Sequence, residues 1–316
     1  MAMGNLRALL LWMLVEPLGT PMPIMQADFS THLKAAADAT QACLAKAMRP
    51  FGDLPIAQGM RHAVTGGKGM RGFLVIESAR LMGAPEQEAV YAGAAVEALH
   101  AYSLVHDDLP CMDDDDLRRG QPTVHKKWDE ATAVLVGDAL QTLAFELLAR
   151  PGSSLGAQRQ LDLITQLAKA SGAEGMVLGQ AQDMAAETAA VPLTLTDIAH
   201  LQTNKTGALI EWSATAGAVM IGADPALLRR YAQALGLAFQ IADDILDVEG
   251  TIDMMGKATG KDSASGKATF VSLLGLEGAK LRAQDLVDEA CVALDDFGDR
   301  ANILKVAARF VVSRDL

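Results

Sequence analysis

The sequence predicts an all-α protein of one domain, on three observations. Half of the 316 residues are hydrophobic but only 4% are aromatic, and the wealth of alanine, leucine and methionine favours helix over sheet. Long apolar segments of helical spacing follow one another, each closed by a proline or glycine break. No segment shows the alternation of a strand, and no domain-sized linker interrupts the chain. At this length a sizeable core can form.

The elements follow in order. Residues 1–25 hold the most hydrophobic run, Leu9 to Val15, and three prolines between Pro17 and Pro23. The basic region before the run is thin and no small-residue cleavage site stands out. The stretch is expected to be an extension outside the fold, with the domain spanning 26–316; a chain beginning at Met25 should keep full activity. A helix is expected over 27–47, and Pro50, Gly52 and Pro55 break the chain after it. Gly66-Gly67-Lys68-Gly69-Met70-Arg71 then opens a helix from about Lys68 to Leu81. Lys68 and Arg71 are three apart and share a face. Two cations where backbone N–H groups already point outward oppose the helix dipole, so an anion such as phosphate is expected there. The Walker spacing is absent.

A turn at 83–85 leads into a helix from Glu86 to Asp108. Val96, His100, Ser103 and Asp107 fall on one stripe of it. Pro110 ends the helix and leaves Asp107 and Asp108 at a C-terminus that disfavours anions. A strongly apolar helix is expected over 130–148, then one over 161–185 despite glycines at 172, 175 and 179. Pro192 opens a unit carrying Asn204-Lys205-Thr206-Gly207, and a long helix from Leu227 ends at Asp247. Gln240, Asp243, Asp244 and Asp247 share one face of that helix and repel one another unless a cation binds. The polar, glycine-rich loop 250–266 carries Lys257 and Lys261, with Lys267 just beyond, and is expected to close as a lid over anionic ligands. Packing helices over 268–290 and 303–312 complete the chain.

Charge and composition exclude several functions. A net charge of −12 argues against non-specific nucleic-acid binding. Cys43, Cys111 and Cys291 give neither a disulfide framework nor a zinc site, which points to a reducing cytoplasm. No stretch approaches the roughly 20 apolar residues of a membrane span, so no stable membrane insertion is expected.

The two acidic clusters carry the chemistry when taken together. Asp107, Asp108 and Asp113 form one; Asp243, Asp244 and Asp247 form the other. Oxygen-only donors suit Mg²⁺, which keeps waters and binds through carboxylates and substrate phosphates. The EF-hand spacing is missing. Lys68, Arg71, Arg118, Arg119, Lys205 and the lid lysines rim two phosphate positions. Asp114 to Asp116 are expected to cap or solvate the following turn.

Six motifs now stand in order: GGKGMR at 66–71, HAYSLVHDDLPCMDDDDLRRG at 100–120, GMVLGQAQD at 175–183, KTG at 205–207, FQIADDILD at 239–247 and GKATGKDSASGKATF at 256–270. With them the chain resembles the trans-polyprenyl diphosphate synthase family, and within it the bacterial farnesyl-forming type. The resemblance implies a helical bundle around a deep cavity, a homodimer, and head-to-tail condensation of an allylic diphosphate with isopentenyl diphosphate. It implies Mg²⁺, replaceable by Mn²⁺, on Asp107, Asp108, Asp113, Asp243, Asp244 and Asp247. Arg118 would hold the allylic diphosphate; Lys205, Thr206, Gln240, Lys257 and Lys267 would surround the leaving group. Lys68, Arg71, His100 and Arg119 would bind isopentenyl diphosphate. Gly69 stands where a basic residue is frequent, and Ala242 where glutamine is. Tyr102 and Ser103, one turn before the first aspartate pair, would floor the product cavity. Tyr102 and the Pro110-Cys111 insertion favour a farnesyl product. A geranylgeranyl diphosphate synthase would carry a smaller residue at 102, and a non-catalytic subunit would have lost an acidic motif.

Overall fold

The computed structural model describes residues 22–189, 191–249 and 268–313. The expected lid, with Lys257, Lys261 and Lys267, and most of the N-terminal extension lie outside these residues.

Thirteen helices in the described residues form one bundle: α1 (Met22–Met48), α2 (Pro55–Ala63), α3 (Met70–Met82), α4 (Glu86–Asp107), α5 (Val124–Lys127), α6 (Glu130–Ala149), α7 (Ala157–Ser171), α8 (Met176–Glu187), α9 (Leu195–Gln202), α10 (Ala208–Ile221), α11 (Ala226–Glu249), α12 (Phe270–Ala293) and α13 (Asn302–Val312). Among these residues the only strands are β1 (Leu117–Arg118) and β2 (Gln121–Pro122), an antiparallel pair. The sequence reading differs from this at three places. Pro55 was read as a break, but it is the first residue of α2, where its missing N–H costs nothing. The stretch 161–185 is two helices, α7 and α8, parted at Gly172–Gly175. The helix after the glycines begins at Met70 rather than Lys68.

Neighbouring helices pack in the order α6, α4, α3, α10, α11, α12, with α1 laid across α3 and α4. Small residues let backbones meet. At the α3–α4 crossing Gly93 faces Gly72, and the Thr40 methyl of α1 lies so close that a Cβ on either glycine would sit 2.9 Å from it. The Tyr231 hydroxyl donates to the Leu304 carbonyl at 2.8 Å, tying α11 to α13. Glu88, buried on α4, accepts from Arg150, from Ser153 Oγ at 2.9 Å and from the Ser154 backbone at 2.7 Å, which fixes the α6–α7 connection.

One expectation about membranes needs correcting. Among the described residues α6 is long and apolar enough to cross a bilayer by length and composition. Its apolarity serves two surfaces of a folded protein. Ala133, Val136, Leu140, Leu143, Ala144 and Leu147 are buried in the bundle, whereas Val134 and Leu135 are exposed on the outside.

Candidate active site

Helix α4 ends in the first acidic cluster. Its last turn places Asp107 half-buried and Asp108 fully buried. The chain then doubles back past Pro110, and the Asp113 N–H donates to the Asp107 carbonyl at 2.8 Å. That closed loop is what a D-D-x4-D spacing achieves: it brings Asp113 beside Asp107. Burial pushes the Asp107 carboxyl up to about 6; Lys205 and Arg118 pull against this, and Asp113 and Asp108 add to it. Asp108 is used differently. Its Oδ1 accepts from Arg118 Nε at 2.9 Å and from Arg118 Nη2, and the same guanidinium reaches Asp115 Oδ2 at 3.0 Å. Arg118 is therefore clamped between two carboxylates. Asp115, read as a capping or solvated residue, is one of its anchors.

The second cluster sits on the last turns of α11, with Asp243 and Asp247 half-buried and Asp244 buried. The Asp244 carboxylate accepts from Gln240 Nε2 at 3.3 Å and from the backbone N–H of Phe270 at 2.8 Å. Gln240 in turn accepts from Thr206 Oγ1 at 3.3 Å. Thr206 and Lys205 lie on a π-helical turn, Thr203–Gly207, between α9 and α10, a distortion that recurs at functional sites. The turn presses on α8 at Gly179, where a Cβ would lie 2.1 Å from the Lys205 nitrogen. Lys205 Nζ donates to Asp183 Oδ2 at 2.6 Å and is the leading charge drawing the Asp107 carboxyl down. The charge of Lys205 thus acts on the first acidic cluster, while its neighbour Thr206 is hydrogen-bonded through Gln240 to the second.

A group of basic residues adjoins the first acidic cluster, and Arg71 and His100 line the same cavity as Asp107. Arg71 on α3 and His100 on α4 meet Arg118 and Arg119 from the hairpin. Burial and then Arg71, Arg119 and Arg118 hold His100 well below its usual range, so its imidazole is neutral near pH 7. Burial also lowers Arg71, against Glu97 and Asp243 and with Arg119. The Nε of Arg71 is buried without a hydrogen-bond partner. Arg119, at φ 54°, is exposed as a residue, but its guanidinium folds over Gly67 and donates to the Thr65 carbonyl at 3.2 Å. Lys68 is exposed at the rim. Glu97, whose Oε1 accepts from the Gly72 N–H at 2.8 Å, is the counter-charge for Arg71 and Arg119. Cations packed this closely, one with an unsatisfied buried donor, form an anion site.

Between these groups lies a cavity of about 390 Å³. Arg71, His100, Asp107, Lys205 and Thr206 contribute its polar lining, and Tyr102, Met112, Met176, Val177 and Met184 its apolar lining. Ser103 also lines it, and its hydroxyl donates to the His100 carbonyl at 2.9 Å. Tyr102 is buried. Gln180, with a buried Oε1 lacking a partner, faces the same space. Sequence reasoning assigned no role to Gln180, Asp183 or Glu97. The first two lie in the motif at 175–183, a signal that was in hand; Glu97 carried none.

Among the described residues no three His, Cys, Asp or Glu groups converge closely enough to hold a metal ion alone. The donors still fit a hard cation. Asp107 and Asp113 offer carboxylate oxygens, the half-buried Asp107 resists ionisation without a positive partner, and Mg²⁺ needs only one or two carboxylates when phosphates and water complete its shell.

The chain is also similar to known proteins. Residues 55–307 match the polyprenyl synthetase family. The chain is 42% identical over 300 residues to the farnesyl diphosphate synthase of Escherichia coli, covering 91% of this chain and 99% of the relative. It is 39% identical to a chloroplastic geranylgeranyl pyrophosphate synthase of Catharanthus roseus, covering 91% and 82%. The crystal structure of an FPP/GFPP synthase from Zymomonas mobilis superposes with a TM-score of 0.83 at 44% identity, covering 90% of this chain and 99% of that one.

Proposed function

The chain belongs to the polyprenyl synthetase family, and from that premise we propose that it makes farnesyl diphosphate from isopentenyl diphosphate and dimethylallyl or geranyl diphosphate. It is a prenyltransferase, and its family carries a divalent-metal requirement, which we assign to Mg²⁺. One observation carries the reading. A single cavity brings the acidic Asp107 together with Arg71, His100 and Lys205, and the buried Tyr102 ring forms part of its wall.

The allylic diphosphate belongs beside Asp107, Asp113 and Lys205, with its hydrocarbon tail along the cavity towards Tyr102. Asp243 and Asp247 face the same diphosphate from α11. Bound Mg²⁺ would neutralise the departing diphosphate. Lys205 and Thr206 stabilise charge as the allylic C–O bond breaks and its electron pair leaves with that group. Asp108 and Asp244 act by position: the first holds Arg118 in place, and the second joins Gln240 to the start of α12. The isopentenyl diphosphate belongs on Arg71, His100, Arg119 and Lys68. A neutral His100 donates a hydrogen bond there without adding another buried charge. The apolar walls exclude water while the double bond attacks the allylic cation, and the released diphosphate takes the proton.

The soluble enzyme is read as a cytoplasmic homodimer in which the exposed face of α6, with Val134 and Leu135, is covered by a second copy. A geranylgeranyl product is the second reading, favoured by the relative from Catharanthus roseus. The buried Tyr102 opposes it. Incubation of the purified protein with Mg²⁺, isopentenyl diphosphate and geranyl diphosphate decides between them. Farnesyl diphosphate is the expected product; no prenyl product at all would remove the enzyme reading.

A further inference from the structure

The Tyr102 ring does not stand alone in the cavity wall. His106 lies one turn along the same stripe of α4, and its ring meets the Tyr102 ring edge-on, with centroids 5.6 Å apart and planes at 86°. His106 also lines the cavity. Its ring is seated on α6 rather than in open space. Nε2 donates to the Val134 carbonyl at 3.1 Å, which fixes the Nε2–H tautomer, since a carbonyl only accepts. The seat exists because residue 137 is glycine: a Cβ there would lie 2.0 Å from His106 Nε2 and 2.3 Å from Cδ2. One turn further along α6, the Gln141 amide lies beside the Tyr102 hydroxyl. Positions 137 and 141 share a face of α6 as 102 and 106 share a face of α4, so each ring on α4 meets its own partner on α6.

We propose that Gly137 and Gln141 on α6, with His106 on α4, are positioning residues for product length, because together they fix the Tyr102 ring where the growing chain must stop. The inference rests on the prenyl synthase reading above. A tyrosine side chain is confined by its neighbours, not by its identity. With the His106 ring gone, Tyr102 loses its edge-to-face support; with Gln141 gone, its hydroxyl loses its partner. Either loss lets the ring turn aside and opens depth for another five-carbon unit. Chain length is then decided on two helices, and one of the deciding positions carries no side chain.

The test uses the full chain with Mg²⁺, isopentenyl diphosphate and geranyl diphosphate, and reads the product distribution by chromatography. Tyr102→Ala serves as the control for the floor. His106→Ala and Gln141→Ala are each expected to raise the fraction of product longer than farnesyl by about threefold to tenfold, the range that loss of one aromatic or polar support allows. Gly137→Ala is read by melting temperature in two backgrounds. It should lower stability when His106 is present and be tolerated when His106 is alanine, because the methyl then fills the vacated seat. If Tyr102→Ala lengthens the product while His106→Ala and Gln141→Ala leave the distribution unchanged, the proposal fails and the synthase reading stands. An equal loss of stability from Gly137→Ala in both backgrounds would also overturn it. Absence of prenyl product from the unsubstituted chain removes the underlying reading instead.

Discussion

Asp107 is under opposed demands. Its folded pKa of about 6 lies above that of a free aspartate, because burial disfavours its charge and Asp113 and Asp108 add to the effect. The folded state therefore holds its proton more tightly, and this group's contribution to stability falls as pH rises from about 4 through about 6. Asp107→Asn is expected to stabilise the cation-free protein by about 1 kcal/mol near pH 7.5, give no gain near pH 4, and abolish turnover. Thermal melts at the two pH values measure this, and a lower melting temperature for the variant near pH 7.5 would contradict it. His100 has the opposite sign. Its lowered pKa leaves its contribution intact above the unfolded value and loses it as pH falls below about 6.5. His100→Gln should therefore melt with a shallower acid limb and raise the KM for isopentenyl diphosphate. Gly69 is a third such case. Its departure from the frequent basic residue could be read from the sequence as a change of charge. The structure gives a backbone reason, since residue 69 sits at φ 68° with its Cβ position 2.9 Å from the Ala37 Cβ. Gly69→Arg should cost about 1–3 kcal/mol, visible as a lower denaturant midpoint.

The π-helical turn is where the elements of the site are brought into register. Lys205 and Thr206 reach the first and second acidic clusters because five residues bulge against α8, and α8 lets them in only at Gly179. Gly179→Ala should displace the turn, lower kcat by about a hundredfold and leave the overall helix content unchanged by circular dichroism. An unaltered kcat would show that the turn has slack. The helices themselves were largely legible in the sequence, because apolar spacing and proline breaks are local properties. Most charged groups that line the cavity also lay in motifs, whereas Glu97, the counter-charge of Arg71 and Arg119, lay in none. What could not be read was which carboxylate serves which partner. Asp107 and Asp108 are adjacent and chemically identical, yet one faces Lys205 and the other clamps Arg118. That division depends on where the β1–β2 hairpin returns its arginines, a tertiary fact. The split of 161–185 into two helices was missed because glycine pairs are tolerated within helices and only packing decides. The count of apolar residues was misjudged at α6 for a related reason: a helix with two apolar faces has the same composition as a span.

At the scale of the whole molecule, α6 links a surface to the interior. Its outer face exposes Val134 and Leu135, and its inner face seats the rings of α4. If the proposed homodimer forms through this face, Leu135→Glu should shift sedimentation velocity towards the monomer; a dimer that persists in the variant would move the interface elsewhere. The crossing of α3 and α4 carries a different consequence. Arg71 precedes Gly72 on one helix, and His100 lies two turns after Gly93 on the other, so the gap between these two side chains is set where the glycines touch. The separation is a dimension of the backbone and not of any side chain. Arginine and histidine can be exchanged one codon at a time, but the gauge between them cannot drift without a change at 72 or 93. A substitution at 72 or 93 would therefore move the charged end of the site while leaving every side chain in it unchanged.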